Sequence, residues 1–504
     1  MRDALHSALN RASRLRPTAT LLPITTTLLI SAGLVRYIRM PSFWLDEACV
    51  AVSLRNPAIE RIFSRLEYGL YFPRFYLATL AAFRHFAGYH IWSLRLLPLA
   101  FFAVATLLWA RILFRLTKDR LVLVLLAGAL MLGSIFWLDQ SIQLKQYTMD
   151  VMFALLPFVV TDEVLDGLQE GRNKWMIVLL CLPCIFSYTY PLALGARVLG
   201  WYLLRATRGS WRVNPGSLIL FAGSVCVAMG TLWVTDLRFN AADLPAYAVY
   251  WSDCLLNTSF QRGLEPGIRL LARFLWGWHG RQPIVTALVI PLQAFGLWSI
   301  YNRFRRSRQR SKPDNYDARL VGSLVLLGSL LVASAVGIYP ICAGRVTLFA
   351  QVHIQLVTVE GAAFVLQRWA GSRIAATFIV LTVTVFVAYS VRDYTRFMLA
   401  EPAENIRAMT RYIDPQRADR LWVQSCSIPQ VRSLPDRIPV SELLFGDQKD
   451  QTKLAMTPGE PVWILWSHMG NLNCVDDLAK MKSRARSWQV VAEGQSRGLA
   501  LAEF

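Results

Sequence analysis

The chain has 504 residues, 55% of them hydrophobic, 12% aromatic and only 17% charged. The charged share lies below the quarter or so of ordinary soluble domains, and the aromatic content with long apolar runs excludes disorder and coiled coil. A net charge of +20 would suggest nucleic acid in a soluble protein; in a chain this apolar it reads instead as Lys and Arg holding the loops of a polytopic membrane protein, with no nucleic-acid partner.

Apolar stretches of roughly 17–25 residues are what a bilayer requires. They fall at about 18–38, 93–115, 121–138, 149–166, 175–188, 190–204, 217–235, 284–301, 320–338, 346–367 and 374–391, which makes about eleven transmembrane helices. The pair 175–188 and 190–204 is the weakest, because both pieces are short and interrupted by Pro183 and Pro191. The basic-then-apolar start reads as the first span rather than a cleaved signal, since its apolar part is long and no A-x-A-like site follows. With the N-terminus inside, Arg2, Arg11, Arg14 and Arg16 are cytoplasmic. Alternate loops then carry Arg115, Lys118 and Arg120; Arg172 and Lys174; Arg205, Arg208 and Arg212; Arg303, Arg305, Arg306, Arg308, Arg310 and Lys312; and Arg368 with Arg373. That distribution obeys the positive-inside rule and puts the chain from about 392 onward outside, in a plasma (inner) membrane.

The expected fold class is an all-α polytopic membrane protein with a small C-terminal mixed α/β extracytoplasmic domain. Its two parts are 1–391, with a first outer loop at about 39–92, and 392–504. Within the outer loops, Phe72–Phe86 interleaves apolar residues with Arg74, Arg84 and His85, and Gly267–Trp278 carries Arg269 and Arg273 four apart, so both suit helices lying in the interface. The C-terminal part alternates helix-like stretches (Glu404–Ile413, Asp476–Arg486) with strand-like runs (Leu421–Gln424, Val462–Trp466, Trp488–Ala492).

Eight cysteines form no framework. Cys181 and Cys184 lie inside an apolar span and read as packing residues; Cys426 and Cys474 share the outer domain, where an oxidising compartment would let them pair. His353 sits inside a span with Glu360 seven residues later on the same face. Intramembrane ionisable groups are functional candidates, but a helix-packing hydrogen bond explains this pair better.

Polar residues that carry chemistry collect at the outer surface. Asp46 and Glu47 follow the first span, flanked by Trp44 and Leu45; burial at an interface raises a carboxylate pKa toward that of a working general base. Lys145, Tyr147 and Asp150 precede a span whose N-terminus faces outward, and Arg345 opens another. A cation at such a helix end is a phosphate site, although an interfacial lysine also snorkels simply to reach water. Arg95 starts a third span of this kind and joins the same cluster. Tyr188 and Tyr190 are either sugar contacts or belt aromatics. Two adjacent carboxylates are thin coordination for a divalent metal, so metal is left unassigned.

The motifs Trp44-Leu-Asp-Glu-Ala48, Leu66-Glu-Tyr-Gly69 with Phe72-Pro73, and Leu94-Arg-Leu-Leu-Pro98 resemble the first outer loop of GT-C membrane glycosyltransferases. More narrowly they are similar to bacterial relatives of dolichyl-phosphate-mannose protein mannosyltransferases, glycosyltransferase family 39. Lys145-Gln-Tyr-Thr-Met-Asp150, Tyr339-Pro, Gly344-Arg345, Leu348-Phe349 and Val462-Trp-Ile-Leu-Trp-Ser-His468 extend the resemblance over most of the chain. One proline stands at Pro73 where the family often has two.

The resemblance implies a GT-C type fold, a polyprenyl-phosphate-linked sugar as donor, a catalytic carboxylate in the first outer loop and inversion at the anomeric carbon. Asp46 is then the base, Glu47 its support or an acceptor ligand, and Lys145 and Arg345 the donor-phosphate ligands, with Tyr147, Asp150 and Tyr339 around them. Hexosyl or pentosyl transfer would go to an unidentified glycan, lipid or protein acceptor. The competing classes are a lipid-linked sugar flippase or transporter and a non-catalytic lipid-binding envelope protein. A flippase would place its basic sites at mid-membrane depth with repeat symmetry or broken helices. No repeat is visible.

Overall fold

The computed structural model describes residues 17–39, 42–66, 72–170, 174–207, 214–240, 249–277, 283–307, 315–342, 344–400, 406–424, 427–434, 438–445, 460–467, 472–494 and 497–504. Arg2, Arg11, Arg14, Arg16, Arg172, Arg208, Arg212, Arg308, Arg310, Lys312, Trp278, Cys426, the motif residues 67–71 and His468 lie outside these residues.

Helices dominate: α1 (Pro17–Arg39), α2 (Leu45–Arg55), α3 (Arg74–Ala87), α4 (Ile91–Thr117), α5 (Leu121–Leu132), α6 (Tyr147–Glu170), α7 (Lys174–Cys181), α8 (Tyr190–Ala206) and α9 (Pro215–Leu232). They continue with α10 (Leu264–Trp276), α11 (Pro283–Ser307), α12 (Asn315–Ala335), α13 (Leu348–Arg368) and α14 (Arg373–Leu399). Among the described residues seven helices are long and apolar enough to cross a membrane: α1, α4, α9 with its π-helical continuation Trp233–Leu237, α11, α12, α13 and α14. The chain is a multi-pass membrane protein.

The other four expected spans are also helical, three of them shorter and α6 carrying acidic residues in its second half. α5 stops at Gly133-Ser134 before a short turn, Ile135–Asp139. In α6 the sequence turns acidic at Asp162, Glu163 and Asp166. Pro183 converts the end of α7 into the 3-10 turn Leu182–Ile185, and α8 has 17 residues. All of the roughly eleven expected spans are thus helical, and among the described residues seven are long and apolar enough throughout to cross a membrane. The reason is local: Gly, Pro and acidic residues interrupt the helix or its apolar character.

α13 is the centre of the bundle, with 94% of its apolar window buried, so it is covered on all sides as a central helix must be. Its polar residues meet neighbours: Trp109 donates to Gln355 at 3.1 Å, Gln355 to the Leu130 carbonyl at 2.9 Å, and Gln351 to Ser134 at 2.6 Å. A Cβ on Gly361 would strike the Leu292 carbonyl, and one on Gly296 the Val357 carbonyl, so two glycines let α11 and α13 touch backbone to backbone. Gly200 of α8 meets Gly322 of α12 in the same way.

α2 and α3 pack over the bundle as a separate cluster with Phe43, Leu54, Phe72, Tyr76, Leu144 and Met149 at its core. The interfacial assignment of the 72–86 segment is correct as to helix, but Arg74 is not on a water-facing side: it is fully buried. α10 is the second expected surface helix, and its Arg269 pairs with Glu265 one turn earlier.

The C-terminal part holds five strands: β1 (Arg420–Val423), β2 (Glu442–Phe445), β3 (Pro461–Ser467), β4 (Ser487–Gly494) and β5 (Arg497–Glu503). Their order is β2-β1-β3-β5-β4. β1 runs parallel to β2 and β3, while β5 is antiparallel to β3 and β4, which makes the sheet mixed. Strands β2 and β5 went unread in the sequence; β5 is Arg-Gly-Leu-Ala-Leu-Ala-Glu, whose alternation of Leu with Ala is too weak a period-2 signal. Helices α15 (Ile428–Ser433) and α16 (Leu472–Arg484) accompany it, with the short helix Ile406–Thr410 against β5. α15 lies on α2, where Arg55 donates to the Arg432 carbonyl at 2.7 Å and the Tyr89 hydroxyl lies 3.1 Å from the carbonyls of Ala51 and Ser433.

Candidate active site

The site begins at the first turn of α2. Trp44 is extended before the helix, and Glu47, three residues on, reaches back to accept its amide at 3.3 Å, as a carboxylate does at a helix start. Asp46 and Glu47 are sequence neighbours, but consecutive helical residues point about 100° apart. Glu47 consequently goes inside, at 2% exposure, while Asp46 is half-buried.

Glu47 is surrounded by donors. Arg95 reaches it through Nη2 at 2.8 Å and Nε at 3.4 Å, and the Leu144 amide donates at 2.9 Å. Arg95 also contacts the Ser42 carbonyl at 3.3 Å and lies over the Phe43 ring, 4.9 Å from its centroid. Arg95 thus faces an internal carboxylate. Through the Leu144 amide, Glu47 also fixes the next residue, Lys145, which is itself buried and stands 5.9 Å from the Phe72 ring centroid.

Cys49, one turn after Asp46, marks how close these groups are. Burial pushes its thiol up to about 12; Lys145 opposes that shift and Asp46 adds to it, so both charges act on this one side of α2. Tyr76, on α3, is raised by complete burial and further by the charges of Asp150 and Glu47.

Asp150 lies in the first turn of α6. Ser187 donates to its carboxylate and Thr189 to its backbone carbonyl at 3.3 Å, tying the 187–190 turn to α6. Tyr188 donates to Asp236 in the π-helical turn, and Arg74 Nε stands 3.5 Å from the other oxygen of Asp236. Tyr190 turns away, donating to the Leu180 carbonyl among the residues packed between α7 and α9.

Tyr339 donates to the Val346 carbonyl at 2.7 Å; burial and the nearby Asp150 and Tyr147 raise its hydroxyl pKa. Tyr147 is buried beside it. Arg345 opens the 3-10 turn Arg345–Thr347 directly before α13, and its side chain is outside the described residues. Gly344 has φ +146°, in the region that favours glycine. A Cys254–Cys342 disulfide and the Ile341 amide, which donates to the Cys254 carbonyl at 2.8 Å, pin this loop to the 252–261 segment.

The fold therefore gathers Asp46, Glu47, Arg95, Lys145, Tyr147, Asp150, Tyr188 and Tyr339 at one end of the bundle. It leaves Tyr190 in a packing role. The Cys254–Cys342 pair was missed, although both cysteines fall in segments expected to be outer; Cys426 and the Cys474 side chain lie outside the described residues. Cys181 and Cys184 are free and buried. His353 meets Ser323 at 2.9 Å through Nδ1 and lies against the Phe158 ring. Among the described residues no group of three His, Cys, Asp or Glu side chains could hold a metal.

No protein-family model matches the chain, and no curated protein matches it. Among solved structures it is similar to ArnT from Cupriavidus metallidurans bound to undecaprenyl phosphate, at 14% identity over 96% of this chain and 97% of that one, with a TM-score of 0.42. It is also similar to the same protein in the apo state, at 14% identity over 94% of this chain and 97% of that one, with a TM-score of 0.40.

Proposed function

We propose that this chain is an integral-membrane glycosyltransferase of the GT-C kind, moving a sugar from a polyprenyl-phosphate donor to an acceptor on the extracytoplasmic side. The observation that supports it is the placement of Asp46, half-buried on the first turn of α2, beside Lys145, whose backbone is positioned by Glu47. The Cys254–Cys342 disulfide favours an oxidising compartment for the same end of the molecule.

In this reading Asp46 accepts the proton of an acceptor hydroxyl or amine while that atom bonds to the anomeric carbon. The bond from the anomeric carbon to the phosphate oxygen breaks, and the polyprenyl phosphate leaves carrying its electron pair. Lys145 and Arg345 stabilise the charge on that leaving group, preorganised electrostatics of the kind that supplies most of many enzymes' rate enhancement. Arg95, engaged with Glu47, positions the carboxylate cluster rather than meeting phosphate. Tyr147, Asp150, Tyr188 and Tyr339 shape the surrounding loops.

Asp46→Asn is the test. Transfer from a radiolabelled polyprenyl-phosphate sugar should fall by on the order of 10²–10⁴-fold, the usual worth of a positioned base, while donor binding persists. Undiminished transfer overturns the assignment. A flippase would instead keep moving lipid-linked sugar in that variant.

A further inference from the structure

The first turn of α3 is built like a ligand site that the donor scheme above does not use. The helix has 14 residues, its N-cap is Pro73 with no side-chain cap, and its first-turn amides lack intrahelical acceptors by geometry. Arg74 and Tyr76 occupy that turn and both are completely buried. Among the described residues, Nε, Nη1 and Nη2 of Arg74 and the hydroxyl of Tyr76 make no hydrogen bond. Among the described residues Arg74 has one acidic neighbour, Asp236, at 3.5 Å, and that carboxylate already accepts from Tyr188.

A native fold satisfies nearly all of its buried polar groups, and a buried guanidinium is costly without acceptors. Two such residues on one helix turn point to atoms supplied from outside. The groups needed are acceptors, since Arg74 can only donate, and an anionic oxygen meets a guanidinium and a helix N-terminus best. The turn also adjoins the donor site: Phe72, two residues before Arg74, carries Lys145 over its ring and stacks on Tyr76 at 5.3 Å.

We propose that Arg74 and Tyr76, with the α3 N-terminus, form an oxyanion-binding site for the phosphoryl group of the lipid-linked substrate, beside Lys145. This rests on the donor reading of the preceding subsection. Arg74 binds a phosphoryl oxygen by charge-assisted hydrogen bonds, Tyr76 donates a neutral one, and Asp236 with Tyr188 keeps the guanidinium oriented.

The experiment measures binding of undecaprenyl phosphate to the full-length chain in nanodiscs, together with the Tm of the ligand-free protein. Tyr76→Phe removes only an oxygen that has no partner in the protein, so the free protein should keep or raise its Tm while affinity falls about tenfold, the equivalent of one hydrogen bond near the top of its usual range. Arg74→Lys retains a charge opposite Asp236 but loses the fork, and affinity should fall on the order of tenfold or more. Titration with inorganic phosphate alone separates the sources of the anion. A loss limited to undecaprenyl phosphate assigns the site to the lipid-borne group, and an equal loss for both assigns it to phosphate whatever its carrier.

Wild-type affinity in Tyr76→Phe and Arg74→Lys, with weakened binding in Lys145→Met, overturns the α3 site and leaves the donor reading standing. A wild-type protein that binds no undecaprenyl phosphate overturns both. A lowered Tm with unchanged affinity in Tyr76→Phe marks a packing residue and overturns the proposal.

Discussion

Glu47 and Glu360 are both buried glutamates paired with arginine, yet their surroundings differ. Glu360 lies about 18 Å along α13 from its Leu348 end, at the helical rise of about 1.5 Å per residue. It accepts from Ser299 at 2.6 Å, Arg303 at 2.7 Å and Tyr316 at 3.0 Å, and Arg303 lies over the Tyr316 ring. That network closes on itself between α11, α12 and α13. Glu47 is just as fully engaged, by Arg95, Trp44 and Leu144, but the residues near it are not. The Tyr76 hydroxyl, the Arg74 guanidinium, Gln146 Oε1 and Thr148 Oγ1 are buried without hydrogen bonds among the described residues. A closed buried network holds helices together; an open one beside a half-buried Asp46 has room for a substrate's polar atoms.

Removing each glutamate tests that contrast most strongly. Glu47→Ala should cost about 3–5 kcal/mol, because it removes the carboxylate that the buried Arg95 faces, and Glu360→Ala less, because Arg303 is partly exposed and keeps Asp317 at 3.4 Å. Denaturation in matched detergent measures the loss. The milder Glu360→Gln should leave donor affinity unchanged, whereas Glu47→Gln should weaken it by loosening the Leu144–Lys145 segment. Equal donor affinities in the two Gln variants would erase the distinction between the two ends.

The end that carries Asp46 is also held by a covalent tie, which the Glu360 network lacks among the described residues. Cys254 and Cys342 are separated by 88 residues, and replacing the pair with serine should lower stability by about 2–4 kcal/mol and loosen the loop that carries Arg345. Thermal unfolding with and without reductant reads this, with the double-serine variant insensitive to reductant. Lys145→Met comes next: a lost charge-assisted contact is worth about 1.5–3 kcal/mol, or roughly 10–150-fold in donor affinity, while stability should change less than in the glutamate variants.

The smallest effect is in the C-terminal sheet. Hydrogen bonds from the Ser441 side chain and amide hold the Asp419 carboxyl below its ordinary value. A depressed pKa in the folded state gives stability that is present above the unfolded value, about 3.9, and lost as pH falls through the folded one. Ser441→Ala should flatten that acid-limb dependence slightly, and an unchanged limb would show that the amide alone holds the carboxylate.

Properties summed along the chain were legible without a structure. The apolar helices, the small C-terminal sheet after them and the clustering of Asp46, Lys145 and Asp150 toward one end follow from apolar length and local pattern. These act on contiguous residues and need no knowledge of which helices touch. Pairing was different. That Arg95 pairs with Glu47, that Arg74 is buried against Asp236, and that Cys254 joins Cys342 depend on residues brought together from 48, 162 and 88 positions apart. Asp46 and Glu47 look alike in the sequence, and only the helical turn between them, packed under Arg95 and Leu144, buries one and leaves the other half-exposed. The net charge of +20 announced a membrane protein; the tertiary structure decided which of its cations meet carboxylates and which have donors to offer, because ion pairing and burial are settled where helices cross rather than along the chain.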